Sequence, residues 1–67
     1  MDVRRRLARN LIRLRHEKGW SQEELAEQSG LHRTYVSGVE RAVRNPTIEV
    51  VEKLARSLKA TASALLE

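Results

Sequence analysis

The chain has 67 residues, no cysteine and no phenylalanine, which limits it to one domain without disulfide staples or thiolate metal ligands. A domain this small buries only about 60% of its unfolded surface, so Leu, Val, Ile and Ala must supply a close-packed core, helped if need be by a second copy of the chain. Thirteen Lys and Arg against nine Asp and Glu give a net charge of +4, which favours a polyanionic partner; no apolar run approaches the roughly 20 residues needed to span a bilayer, no signal-peptide core follows the basic start "MDVRRRLARN", and a cytoplasmic location is expected.

Taken in chain order, residues 3 to 18 predict a first helix. Val3, Leu7, Leu11 and Leu14 recur at spacings of four, four and three and form one apolar stripe. Arg4, Arg5, Arg9, Arg13 and His16 lie mostly off that stripe. Gly19, after Lys18, suits a left-handed helix end. Ser21 then opens a second helix. The Ser21-x-x-Glu24 spacing is a capping box, and Trp20 before it with Leu25 inside it makes a hydrophobic staple. Gly30 should end this helix after about two turns, because positive φ costs Gly little.

A third helix, about 32 to 40, follows with Val36 and Val39 turned inward and Leu31 at its start. "RAVRNPT" breaks the helical pattern, since Pro46 disfavours a helical Asn45. Thr47 can cap a fourth helix whose inner side carries Ile48, Val51, Leu54, Ala55 and Leu58. A short last helix, about 61 to 66, has Thr61 as cap and ends in Leu65 and Leu66. Five helices and no strand pattern make this an all-α chain with short connections.

Two helices meeting at a tight glycine turn form a helix-turn-helix, in which the second helix enters the DNA major groove. The third helix has side chains for that work. Arg33 can make a bidentate contact with guanine, and Thr34 and Ser37 can bond base edges. The three share one side of the helix at i, i+1 and i+4. Gly38, without a side chain in mid-helix, permits close approach of a bulky partner. The solvated face of an ordinary amphipathic helix would look similar. The combination with Gln22, the capping box, Gly30 and the basic loop at Arg41 and Arg44 favours the DNA-reading surface. Chemistry of other kinds has little support. His16 and His32 have no acid at metal-ligand or triad spacing, and no Gly-rich loop follows a strand. No catalytic group, metal, cofactor or small-molecule ligand is expected.

The stretch "GWSQEELAEQSGLHRTYVSGVERAVRNPTIEVVEKLARSL" resembles the lambda-repressor-like regulators of the Cro/CI or XRE type. The pieces "SQEELA", "SGL", "VS", "VER" and "RNPT" fall in that family's order, and the similarity extends over about residues 5 to 66. "HRTYVSGVER" is most similar to the small controller proteins of restriction-modification operons, and a chain with no room for an effector domain agrees with that subtype. The resemblance implies a compact five-helix fold, with residues 1 to 67 as a single DNA-binding domain. It implies roles too: Gln22 on a phosphate, Arg33, Thr34 and Ser37 on bases, Tyr35 against the sugar-phosphate backbone, Arg44 and Asn45 in a loop near the operator centre. Glu40 would be structural, paired with a nearby Arg.

Two departures stand out: His32 occupies the recognition-helix cap where Ser, Thr or Asp is frequent, and Ala42 stands where many members have Gly after the "ER" pair. Members usually dimerise on half-sites about 34 Å apart, so the expected partners are a double-stranded operator and a second copy. Leu65, Leu66 and Val50 form the candidate interface, internal packing of the last helix being the competing role. The alternative function is an antitoxin-like or adaptor module whose main target is a protein. Arg4, Arg5, Arg6 and Arg9 are read first as a solvated face, second as added phosphate contacts.

Overall fold

The computed structural model describes residues 2–67, and they form five helices: α1 (Val3–Glu17), α2 (Gln22–Ser29), α3 (Arg33–Glu40), α4 (Ile48–Ser57) and α5 (Ala62–Leu66). α1 packs on α3 and α5, α2 on α3 and α4, and α4 closes onto α5.

Side-chain caps start four of the five. Ser21 Oγ accepts the Glu24 N–H at 3.0 Å, Thr47 Oγ1 that of Val50 at 3.2 Å, and Thr61 Oγ1 that of Ala64 at 3.0 Å. Each satisfies one of the N–H groups that a helix start leaves unpaired. The returning half of the box at Ser21 is not made, because Glu24 instead accepts Gln28 Nε2 at 2.8 Å. That partner lies four residues on, where side chains on a helix surface meet. α1 has a cap that the apolar spacing alone did not reveal: Asp2 Oδ1 accepts the Arg4 N–H at 2.7 Å. Hydrogen bonds from the Arg4 side chain first, then its backbone, hold the Asp2 carboxyl below the usual carboxylate range. A depressed pKa stabilises the fold above the ordinary value and ceases to do so as pH falls through the lowered one. His32 starts α3 without any side-chain bond, as an imidazole in place of a short oxygen acceptor would suggest.

The ends of α1 to α4 share one device. A residue in left-handed conformation lets the next N–H return to a carbonyl five residues back, the Schellman pattern. Trp20 returns to Arg15 at 3.1 Å, Leu31 to Ala26 at 3.0 Å, Val43 to Gly38 at 3.0 Å and Ala60 to Ala55 at 2.8 Å. The left-handed residues are Gly19 (φ 73°), Gly30 (75°), Ala42 (60°) and Lys59 (55°). Ala42 therefore makes the same turn that a glycine would make there, at a steric cost from its Cβ.

Leu11, Leu25, Val36, Leu54 and Leu65 are wholly enclosed, with Leu7, Val39, Val51, Ala55 and Leu58 around them. Three expected placements are corrected. Val3 and Ile48, assigned to inner stripes, are 47% and 68% exposed. Both sit in the first turn of their helices, beyond the reach of the elements that cover the following turns. Leu65, a candidate for contact with a second copy, is fully buried. Asn10, itself buried, donates Nδ2 to the Leu65 carbonyl at 2.9 Å, which seats the end of α5 against α1 and turns Leu65 into the core.

Lys59→Gly removes a left-handed Cβ that costs roughly 1–2 kcal/mol and adds part of that back as chain entropy. A net gain of about 0.5–1 kcal/mol is expected, raising the melting temperature by about 2–8 °C in a thermal scan; an unchanged or lower value would show that the turn is not strained.

Candidate nucleic-acid interface

The turn between α2 and α3 is set by residues that face inward. Ser29 is buried and donates Oγ to the Leu25 carbonyl at 2.7 Å, Gly30 takes the left-handed turn, and Leu31 packs against the core. α3 then buries Val36 and Val39 at spacing three, which leaves Arg33 and Thr34 exposed and Ser37 half-buried. Arg41 Nε reaches toward Ser37 Oγ at 3.4 Å, so Ser37 lies at the margin of this face and Arg33 and Thr34 at its centre.

Behind α3 lies a buried polar cluster. Glu40 Oε2 accepts Arg15 Nε at 2.7 Å and Glu40 Oε1 accepts Arg15 Nη2 at 3.0 Å, a two-pronged ion pair whose side chains are only 11% and 4% exposed. Glu40 Oε1 also accepts Gln22 Nε2 at 2.9 Å, while Arg15 Nη1 donates to the Trp20 carbonyl at 2.8 Å. Gln22, expected on a phosphate, is thus anchored to the back of α3 through one amide proton. Glu40 does pair with an arginine, and that arginine is Arg15. The sequence held a signal for it: Arg15 is four residues past Leu11 and so within about 40° of it around α1, on the apolar side, where an unpaired guanidinium would be costly.

The loop after α3 folds back over the helix. Gly38 O accepts the Val43 N–H at 3.0 Å and the Arg44 N–H at 3.2 Å. The Arg44 guanidinium lies over the Tyr35 ring, 5.6 Å from its centre. Tyr35 is half-buried and packs on the core's edge. The bulky group that Gly38 admits is accordingly the Arg44 side chain: a Cβ at position 38 would lie 2.5 Å from Arg44 Cγ. Asn45 is exposed and lines a shallow groove of about 120 Å³ together with Val3, Leu7, Pro46, Ile48 and Leu66. Val43 is 60% exposed in the same loop, a position where no helical periodicity marks orientation.

Two helices joined by a left-handed glycine, with a polar, arginine-bearing outer face on the second, define a helix-turn-helix protein. The helix-turn-helix family model matches residues 11–65, and the chain belongs to that XRE-type family. It is similar to a Neisseria hypothetical transcription factor from Neisseria meningitidis serogroup B, 52% identical over 65 residues that make up 97% of this chain and 61% of that protein. The crystal structure of that factor superposes with a TM-score of 0.96 over 98% of this chain and 76% of the other. Control protein C.SmaI of Serratia marcescens is 46% identical over 66 residues, 98% of this chain and 79% of the control protein. The restriction-modification controller C.Esp1396I, solved as a tetramer in complex with its natural 35 base-pair operator, is 35% identical with a TM-score of 0.88, covering 97% of this chain and 86% of that one.

Glu40→Ala, which strands the Arg15 guanidinium, should destabilise the fold by about 3–5 kcal/mol. The pair Arg15→Met with Glu40→Met should lose much less, because no buried charge is left alone. Chemical denaturation of the three proteins checks this; equal losses in the single and double variants would mean the charges are not effectively buried.

Proposed function

We propose that this chain is a sequence-specific DNA-binding transcription regulator that reads half of a pseudo-palindromic operator with α3 and binds as a homodimer. The observation that supports it most is the outer face of α3. Arg33 and Thr34 project from a helix whose other side is locked into the core, the arrangement that lets a helix enter the major groove as a rigid element. Arg33 would pair with guanine O6 and N7. Thr34 would meet a base edge or a thymine methyl, and Ser37 a base at the edge of the site. Gln22 has a second amide proton for a phosphate, near the positive end of α2. Arg44 and Tyr35 would meet the sugar-phosphate backbone, and Asn45 the duplex farther along the loop. The likeness to C.SmaI and C.Esp1396I favours a controller of a restriction-modification operon, with residues 1–67 as its DNA-binding unit. Output would then follow the protein's own concentration, because dimerisation and operator binding are linked by mass action.

The apolar edge around the shallow groove is the proposed dimer contact. Leu66 keeps the role expected of it, and Ile48 and Val3 join it. Val50, two residues after Ile48 and therefore roughly 160° away around α4, covers the opposite flank of that helix.

Selection of bound duplexes from a random pool at about 0.15 M salt should return a palindrome with half-sites about one helical turn apart. Arg33→Ala should then cost about 1–3 kcal/mol and relax one base-pair position, whereas Arg44→Ala should weaken all duplexes alike and lower the salt slope by about 1. Recovery of no preferred sequence would favour a protein target. Ile48→Glu should shift the wild-type dimer to monomer in sedimentation velocity; a persistent dimer would place the interface elsewhere.

A further inference from the structure

We infer that Gly38 is a positioning residue: its bare Cα is the seat on which Arg44 crosses α3, and this seat joins the recognition helix and the following loop into one reading surface. The inference rests on the proposed role of Arg44 at the DNA backbone, and on three observations of its own. First, Gly38 is buried although it lies in the last turns of α3, and the three atoms nearest to a Cβ built there all belong to Arg44: Cγ at 2.5 Å, Nε at 3.2 Å and Cδ at 3.4 Å. The side chain thus runs lengthwise over the glycine instead of touching it with its tip. Second, the Gly38 carbonyl takes both loop N–H groups, at 3.0 and 3.2 Å, so the backbone that carries Arg44 is tied to the same residue. Third, beyond the seat the guanidinium meets Tyr35 one turn earlier in α3, 5.6 Å from the ring centre. Arg44 is therefore held at three points along its length.

φ is not the reason for glycine here. Gly38 is helical, unlike Gly19 and Gly30 with φ of 73° and 75°, and in a helix interior alanine is the better former. Glycine at this place weakens α3, and what it provides in return is space for Arg44. A methyl group would occupy the position of the Arg44 stem. Arg44 Cγ would have to move by about 1 Å to reach ordinary contact distance, and its stacking on Tyr35 could not survive in the present geometry. An arginine held in place before binding loses less side-chain freedom when it meets a phosphate, so displacing it should weaken binding without touching Arg33, Thr34 or Ser37.

The test is Gly38→Ala, Arg44→Ala and the double variant, compared for melting temperature, operator affinity and salt slope. Gly38→Ala is expected to melt at or above the wild-type temperature, yet to bind operator about 3–10-fold more weakly with a salt slope lower by about 1, as Arg44→Ala does. In the Arg44→Ala background Gly38→Ala should change nothing further, a non-additivity that a merely structural glycine would not produce. Independently of DNA, the Arg44 side-chain proton resonances of the wild type should be displaced by the Tyr35 ring, and the displacement should vanish in Gly38→Ala and in Tyr35→Leu. The inference is overturned if the Arg44 resonances are the same in Gly38→Ala and the wild type, or if Gly38→Ala weakens binding equally with and without Arg44. If Arg44→Ala alone leaves affinity and slope unchanged, the assignment of Arg44 to the backbone fails, and the resonance measurement still decides whether Gly38 seats it.

Discussion

The ion pair between Arg15 and Glu40 is the constraint from which the rest of this molecule can be built. It joins the last turn of α1 to the end of α3, two residues 25 positions apart. It carries two further bonds, one to the turn before α2 and one to Gln22 at the start of α2. Three helices thus share one charged cluster shielded from water. In such a setting unmade bonds are expensive and made bonds are directional. An apolar core of Leu and Val alone would hold the helices together but would leave their rotation loosely specified. The paired charges add a directional contact on the same side of α3 that Val36 and Val39 already turn inward.

The outward side can be polar because the inward side is complete. Val36, Val39 and Glu40 use up the inner arc of α3, so Arg33 and Thr34 have no internal role. The loop after α3 then adds to this surface instead of merely leaving it. The chain turns left-handed at Ala42 and the next two N–H groups return to Gly38, which brings Arg44 back over the helix. A turn that in other positions only ends a helix here places a cation over Gly38 and the Tyr35 ring. Its conformational cost falls on Ala42, a residue with a Cβ, and is offset by the bonds it permits.

α1 has a different part. Its inner arc carries Leu7 and Leu11 for the core, Asn10 for α5 and Arg15 for α3, so a single helix orients both the recognition side and the C-terminal side of the molecule. Asn10 is buried and Arg15 nearly so, and each meets a fixed partner, a carbonyl in one case and a carboxylate in the other. That satisfies the general requirement on buried polar groups. Of the exposed apolar side chains, Val3 and Ile48 line one groove with Pro46 and Leu66, while Val43 lies in the loop after α3.

The order and extent of all five helices were legible in the chain, because caps at Ser21, Thr47 and Thr61, stops at Gly19 and Gly30, and the spacing of Leu and Val are local signals. The exposed face of α3 followed from the same periodicity. The left-handed turns at Ala42 and Lys59 were not legible, since neither residue favours that conformation; the Val43 N–H returning to Gly38 and the Ala60 N–H returning to Ala55 accompany them. Nor could periodicity say that Ile48 would be left uncovered, that Leu65 would be drawn inside, or that Gly38 would serve Arg44. By itself, then, the sequence determined where helices begin and end and which arc of each is apolar, for these depend on neighbours within a few residues. Only the tertiary structure decided which partners those arcs meet, which arginine pairs with Glu40 and where Arg44 comes to rest, for these depend on contacts between residues brought together by the fold.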